Sequence, residues 1–268
     1  MGEGYWARRY GILAGNGLFP HALANCLMEQ KLPFVVMGLR GHFQPLPGSI
    51  EACEETDLGR LLPIVRYFKK HHAERIFFAG GVRRKHARAT LRLDALGACV
   101  LPLALLPGDD RLLRGMAFLL GTLGVEVVDP SPAIGSLLAD RGLMAGPEPK
   151  PAVWNDICIA RQGALEIGSR DRGQAAVAFK GNLVGLEGWK GTDALISRAP
   201  GPGAVLAKVV KPGQDLRFDR PAIGPSTALL AAARGMRAIA VESGGVLLLD
   251  RDRLMEICRQ CDISLYGI

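Results

Sequence analysis

Tyr10-Gly-Ile-Leu-Ala-Gly-Asn-Gly-Leu-Phe-Pro20 reads as a short apolar strand, Tyr10 to Ala14, a turn at Asn16-Gly17 and a helix starting near Pro20. A strand that ends in a glycine turn and runs into a helix is the opening of a βαβ unit. It predicts a parallel sheet covered on both faces. The same alternation continues outward. Phe34 to Met37 is a second apolar run. Leu58 to His72 has helical spacing, with Leu58, Leu61, Leu62, Val65 and Phe68 on one face. Arg75 to Ala79 is another strand, ending at Gly80-Gly81, and Val125 to Val128 is the last strand of this half. Asp109 and Asp110 open a helix to about Leu123, since acidic residues favour a helix N-terminus. Strands alternating with helices imply a doubly wound α/β sheet, whose ligands bind beyond the carboxyl ends of the strands.

Residues 142 to 152 carry three prolines and two glycines, which marks a linker. The expected organisation is an N-terminal parallel-sheet domain over 1–143, a linker over 144–152 and a smaller mixed α/β domain over 153–268. The second half reads as a helix from Trp154 to Gly168, then strands from Gln174 to Phe179 and Leu183 to Glu187 about a Gly181-Asn182 hairpin turn. A helix follows near Thr192, then a strand from Val205 to Val210 and a helix near Ser226. Ile239 to Val241 and Val246 to Leu249 look like a strand pair around Ser243-Gly-Gly, and Arg251 to Cys261 is the last helix.

The chain has 268 residues, 49% hydrophobic and 22% charged, so it is globular and long enough for two cores. A net charge of +7 suits an anionic partner. Nucleic acid is disfavoured, because the basic residues are scattered and no aromatic alternates with them as a stacking platform. The six cysteines lie mostly among apolar residues, as buried thiols do. Cys258-Arg-Gln-Cys261 lacks the second ligand pair that zinc needs and reads as two core-side cysteines one turn apart. No apolar run reaches the roughly 20 residues that span a bilayer, and no signal peptide is visible, so a cytoplasmic location is expected.

The segment Lys208-Val-Val-Lys-Pro-Gly-Gln-Asp-Leu-Arg-Phe-Asp219 concentrates cations, an amide and carboxylates between helix-breaking residues. That mixture suits a phosphate: cations neutralise its oxygens, and a carboxylate holds a divalent metal or polarises water. Asp219 precedes Arg220-Pro221 in an expected extended segment and is the leading candidate for a metal ligand or a base. Lys208 and Lys211 would act as point charges on phosphate, or else be surface lysines. Thr192 and Asp193 begin a helix, where capping competes with metal binding. Gly15-Asn-Gly17 offers backbone N–H groups to a phosphate, or is simply a tight turn; Pro20 replaces the third glycine of a dinucleotide fingerprint. Arg83 after Gly80-Gly81 could reach an anion or be solvated. The five histidines show no metal spacing.

Taken together, Leu13-Ala-Gly-Asn-Gly-Leu-Phe-Pro20, Phe78-Ala-Gly-Gly-Val-Arg83, Gly108-Asp-Asp-Arg-Leu-Leu-Arg114, Gly191-Thr-Asp-Ala-Leu195, Lys208 to Gly224 and Val241 to Asp250 resemble one family. It is the metal-dependent UDP-2,3-diacylglucosamine pyrophosphatases of lipid A synthesis. The resemblance covers nearly the whole chain after residue 9. It implies a Rossmann-like N-terminal domain and a C-terminal domain of the family's own type. It implies hydrolysis of the glycolipid nucleotide to UMP and 2,3-diacylglucosamine 1-phosphate (lipid X), with Mg²⁺ or Mn²⁺ as cofactor and water attacking the sugar-side phosphorus. The essential aspartate falls on Asp219; Asp219 is read as a metal ligand together with Asp193, or as the group that orients the attacking water. Thr192 and Asp193 would line the substrate site, with Gly17, Leu18, Gly80 and Gly81 facing it, and Arg83, Gln174, Lys208, Lys211 and Gln214 are further substrate-binding candidates. A homodimer in peripheral contact with the inner membrane surface is implied, and no nucleic acid. The chain departs from the family pattern at Lys190, where Glu is common, at Gly81, often Asn, and at Lys85, often Pro. Two other readings stay open: a non-catalytic nucleotide- or lipid-binding regulator that needs neither Asp219 nor a metal, and a nicotinamide enzyme, which lacks its third glycine and its acidic residue after the second strand.

Overall fold

The computed structural model describes residues 9–46, 53–82, 91–104 and 109–268. The chain divides into two compact units. The first takes the residues up to Ile134 together with Asp215–Phe218; the second takes Gly135–Gln214 and Asp219–Ile268. The expected 144–152 segment lies inside the second unit.

The first unit contains a parallel sheet. Its strands are β1 (Tyr10–Ala14), β2 (Phe34–Leu39), β3 (Cys53–Thr56), β4 (Arg75–Ala79) and β5 (Glu126–Val127), in the order β3-β2-β1-β4-β5. All five residues of β1 are buried, as a central parallel strand requires. It pairs with β2 on one side and β4 on the other, both in parallel. The winding therefore reverses at β1, which makes the carboxyl ends of β1 and β4 the topological switch point. Helix α1 (Phe19–Glu29) follows β1 with Pro20 in its first turn. Helix α2 (Leu61–Lys70) buries Leu61, Ile64, Val65 and Phe68 on one face, and Lys69 and Lys70 suit its C-terminus. Helices α3 (Ala95–Ala104) and α4 (Asp109–Thr122) pack together. β3 and α3 carried no sequence signal: β3 is a Cys-Glu-Glu-Thr edge strand, and α3 contains Pro102.

Asp215–Phe218 joins this unit through its own chemistry. Arg217 donates from Nε to Asp215 Oδ1 (3.0 Å) and from Nη2 to Oδ2 (2.7 Å), and Arg114 stands 3.5 Å from the same carboxylate. The Arg217 hydrogen bonds hold the Asp215 carboxyl below the usual carboxylate range. Phe218 packs on the core formed by Leu13, Phe68, Ile76 and Phe78, its ring 5.7 Å from that of Phe78.

The second unit carries a mixed sheet ordered β6-β13-β11-β9-β7-β8. These are β6 (Gly142–Ala145), β7 (Ala175–Phe179), β8 (Asn182–Leu186), β9 (Val205–Lys208), β11 (Ala238–Val241) and β13 (Ser264–Gly267). β10 (Ala222–Ile223) and β12 (Leu247–Leu248) form a separate two-stranded parallel sheet. Helices α5 (Pro151–Ser169), α6 (Gly191–Ser197), α7 (Pro225–Ala233) and α8 (Arg251–Gln260) complete the unit. Its largest core cluster includes Val177, Ile196, Leu206, Ile239, Val241, Leu254 and Leu265.

Several sequence expectations need correction. The segments expected to pair around Ser243-Gly-Gly do not: β11 pairs in parallel with β9 and β13, while β12 pairs with β10. The cause is a tight turn in which the N–H groups of Gly245 and Val246 both donate to Glu242 O, with Gly244 at φ +70, which ends the first strand rather than folding it back. Part of the glycine- and proline-rich stretch is strand β6, antiparallel to the unanticipated last strand β13. The cysteines are not mostly buried: Cys26 and Cys258 are, but Cys53, Cys99, Cys158 and Cys261 are exposed. Cys261 caps the end of α8, past its buried face.

The β7–β8 turn lies one residue earlier than expected. Phe179 pairs with Asn182, and the loop is Lys180-Gly181, at φ +50 and +76, the signs of a type I′ turn. A lysine in that conformation needs support, which the 5%-exposed Asp156 of α5 supplies. Its carboxylate accepts the N–H of Lys180 (3.0 Å) and of Gly181 (2.7 Å). Replacing Asp156 with Ala should destabilise the second unit by about 1.5–3 kcal/mol. Denaturant unfolding followed by circular dichroism checks this, and an unchanged midpoint would mean that the turn stands without the carboxylate.

Candidate active site

In the first unit the two glycine turns meet at the switch point. Gly15 N–H donates to Ala79 O (2.8 Å), Asn16 N–H to Gly81 O (2.7 Å) and Gly81 N–H to Asn16 O (2.9 Å). A Cβ on Gly15 would come within 2.5 Å of Gly81 O, and one on Gly80 within 2.5 Å of Asn16 O. Only glycine allows this approach at both places. Gly17, at φ +106, and Gly81 have open space where a side chain would lie, and Leu18 is exposed. The result is bare backbone at the carboxyl ends of β1 and β4, where a ligand can come close. Arg83 lies outside the described residues.

In the second unit the site is built around Lys208, the last residue of β9. That strand lies inside the sheet, antiparallel to β7 and parallel to β11, and all four of its residues are buried. Lys208 is 8% exposed. Its Nζ donates to Thr192 Oγ1 (3.0 Å) and to Ala222 O (2.9 Å). Among the described residues no carboxylate lies within ion-pair distance of it. Burial lowers the Lys208 pKa, opposed by the more distant charges of Glu187, Asp193 and Asp219.

Beyond β9 the motif turns sharply. Val209 N–H donates to Gln174 O (2.9 Å) and Val210 N–H to Glu242 Oε2 (3.1 Å). Gln214 bridges the turn: its Oε1 accepts the Lys211 N–H (2.9 Å), and its Nε2 donates to Asp219 Oδ2 (2.8 Å). One Asp219 oxygen is thus held, and the carboxylate is exposed. Lys211 Nζ pairs with Asp171 Oδ1 (3.0 Å). The Gln174 N–H donates to Glu187, while its buried Oε1 has no hydrogen-bond partner among the described residues. Asp193 is exposed in the first turn of α6.

Thr192, Lys208, Gln174, Gln214 and Asp219 are therefore linked through one another or through near neighbours. Two contributors were missed. Glu187, buried at the end of β8, accepts the Thr192 hydroxyl (2.5 Å), and Glu242 anchors the Val210 amide. Glu187 ends a recognisable strand five residues before Thr192, but nothing in its spacing says that it folds inward.

The donor set suits one kind of metal site. Among the described residues no three His, Cys, Asp or Glu side chains gather into a self-sufficient cage. Mg²⁺, however, commonly binds one or two carboxylates and completes its shell with phosphate oxygens and water. Asp219 and Asp193, both exposed carboxylates of the second unit, are the residues that could serve in this way. Among the described residues no helix is long and apolar enough to cross a membrane.

Residues 9–137 match the family model described as the LpxI N-terminal domain, and residues 140–266 match the LpxI C-terminal domain. The chain is also similar to the UDP-2,3-diacylglucosamine pyrophosphatase LpxI of Caulobacter vibrioides. The two are 32% identical over 279 aligned positions, covering 97% of this chain and 98% of the relative. With both domains matched in order along almost the full length, the chain belongs to the LpxI family.

Proposed function

We propose that this chain hydrolyses the pyrophosphate bond of UDP-2,3-diacylglucosamine, releasing UMP and 2,3-diacylglucosamine 1-phosphate. Family membership supports the reaction class, and the name of the Caulobacter relative supports the substrate. The observation that carries the reading is Lys208, a buried ammonium with neutral acceptors and, among the described residues, no contacting carboxylate. Such a cation gains most from an anionic ligand. A phosphate oxygen meets that need, with Asp219 close enough to act on Lys208 electrostatically.

On this reading Lys208 anchors the pyrophosphate and offsets the charge that grows on its oxygens as the bond breaks. Gln214 holds one oxygen of Asp219, fixing the direction of the other. That second oxygen either orients the attacking water or would hold Mg²⁺ or Mn²⁺ together with Asp193. The cation, when bound, neutralises phosphate charge and polarises the phosphoryl group. Water adds to the sugar-side phosphorus, the bridging P–O bond breaks, and UMP leaves with the bridging oxygen.

The lipid half of the substrate is supported by a different surface. Leu183, Val184 and Leu186 of edge strand β8 are exposed, and Trp189, three residues before Thr192, is 87% exposed. Lys190 stacks over the Trp189 ring at 5.2 Å, and Lys180 and Arg198 are exposed nearby in sequence. Exposed apolar and indole groups with cations close by in the chain are the chemistry of an anionic membrane interface. We assign the peripheral membrane contact to this surface.

Purified protein should release UMP from UDP-2,3-diacylglucosamine when Mg²⁺ or Mn²⁺ is present and not with chelator. Asp219→Ala should lower turnover by roughly 10²-fold or more while melting like the parent. Absence of release from folded protein under every metal favours the binding-regulator reading. The charged form of Lys208 exists below its lowered pKa and is lost as pH rises through it. The rate should therefore fall on the alkaline side at a pH below the ordinary lysine range, and Lys208→Arg should remove that fall even if it slows the reaction. Trp189→Ala should weaken co-sedimentation with phosphatidylglycerol vesicles several-fold, and unaltered binding would place the membrane contact elsewhere.

A further inference from the structure

Glu187 is a buried carboxylate at the end of an edge strand whose Asn182, Leu183, Val184 and Leu186 are exposed. Its backbone N–H continues the β7–β8 ladder by donating to Ala175 O (2.9 Å). Its side chain is occupied at both oxygens: Oε1 accepts from Thr192 Oγ1 (2.5 Å), and Oε2 accepts the Gln174 N–H (2.7 Å). It is 9% exposed. A Cβ on Gly173 would come within 2.8 Å of Glu187 O and 2.9 Å of Glu187 Cβ, so the close seat depends on that glycine.

The direction of these bonds follows from the inventory of protons. A carboxylate only accepts, and a hydroxyl has a single proton. Thr192 must therefore donate to Glu187. An ammonium only donates, so Lys208 donates to Thr192. The relay runs one way, from Lys208 through Thr192 to Glu187. It leaves Thr192 no proton for a phosphate oxygen, so the threonine acts on the ammonium and not as a donor to the ligand.

We propose that Glu187 is a positioning residue: by taking the only Thr192 proton it makes Thr192 an acceptor that, with Ala222 O, holds two N–H groups of Lys208 and leaves the third for the anionic ligand. The charged groups that face Lys208 are Glu187 from the end of β8, Asp193 from α6 and Asp219 from the motif loop. Of these, Glu187 is the one joined to Lys208 through hydrogen bonds. Its effect on turnover rests on the hydrolase reading; the alignment of the ammonium does not.

The test therefore has a substrate-free arm. In protein carrying ¹⁵N-lysine, the Lys208 ammonium, assigned by its loss in Lys208→Met, should exchange protons with water slowly. In Glu187→Gln the amide can donate to Thr192 and reverse the relay, and Thr192→Val removes the acceptor at similar volume. Each should speed exchange roughly tenfold or more while melting stays close to that of the parent. In the kinetic arm each should lower kcat roughly 10- to 100-fold with a smaller change in KM. The double variant should be no worse than the poorer single one, because both remove the same relay. Unaltered ammonium exchange in both variants, or additive losses of rate, would overturn the proposal and make Glu187 a support for the hairpin. If the parent hydrolyses nothing, faster exchange in the variants still supports the relay, and the hydrolase reading alone fails.

Discussion

An ammonium ion at the end of an interior strand is the constraint around which the second unit is arranged. Taking a cation out of water is costly unless polar groups replace its hydration. Here the replacement comes from three directions. α6 brings the Thr192 hydroxyl, β10 brings the Ala222 carbonyl, and three carboxylates stand back from contact. A contacting carboxylate would have satisfied Lys208 and closed it to ligands. Negative charge farther off opposes the loss of its proton that burial favours, and the acceptors in contact with it are neutral. The hairpin, the short helix and the small β10–β12 sheet each supply one part of this arrangement.

Much of the fold was legible because it rests on burial. β1, β2 and β4 are nearly unbroken apolar runs, as strands covered on both faces must be, and α2 shows its core face every three to four residues. The glycine turns were legible because a strand-to-helix turn that lets another backbone close in needs glycine. Other elements have no such signature. β3 and β10 owe their state to the neighbours they pair with, and neighbours across a sheet cannot be read from one short segment. Val246–Leu249 has the apolar character of a strand, yet which strand it joins depends on the direction in which the turn before it leaves.

The site was legible in part for a similar reason. Lys208, Gln214 and Asp219 stand close together in the chain, so their mixture of charge and amide invited attention. Glu187 stands in another element and looks like an ordinary polar end to a strand. Its burial comes from folding inward, against Gly173 and onto the Thr192 hydroxyl. The residues proposed to meet the ligand stand together in one segment, whereas the carboxylate proposed to aim Lys208 is brought to it only by the fold.

The membership of Asp215–Phe218 in the first unit has a topological consequence. The backbone passes from one unit to the other after Ile134, after Gln214 and again after Phe218. The motif is therefore sewn through both units, and no single cut of the chain yields two complete pieces. A fragment holding only the C-terminal stretch would carry Phe218 without the core it packs on and Asp215 without Arg114. Lys208 and Asp219 would remain on that fragment, joined by a segment stripped of its anchorage. Duplication or exchange of these two units as separate modules is thereby discouraged by the path of the chain itself.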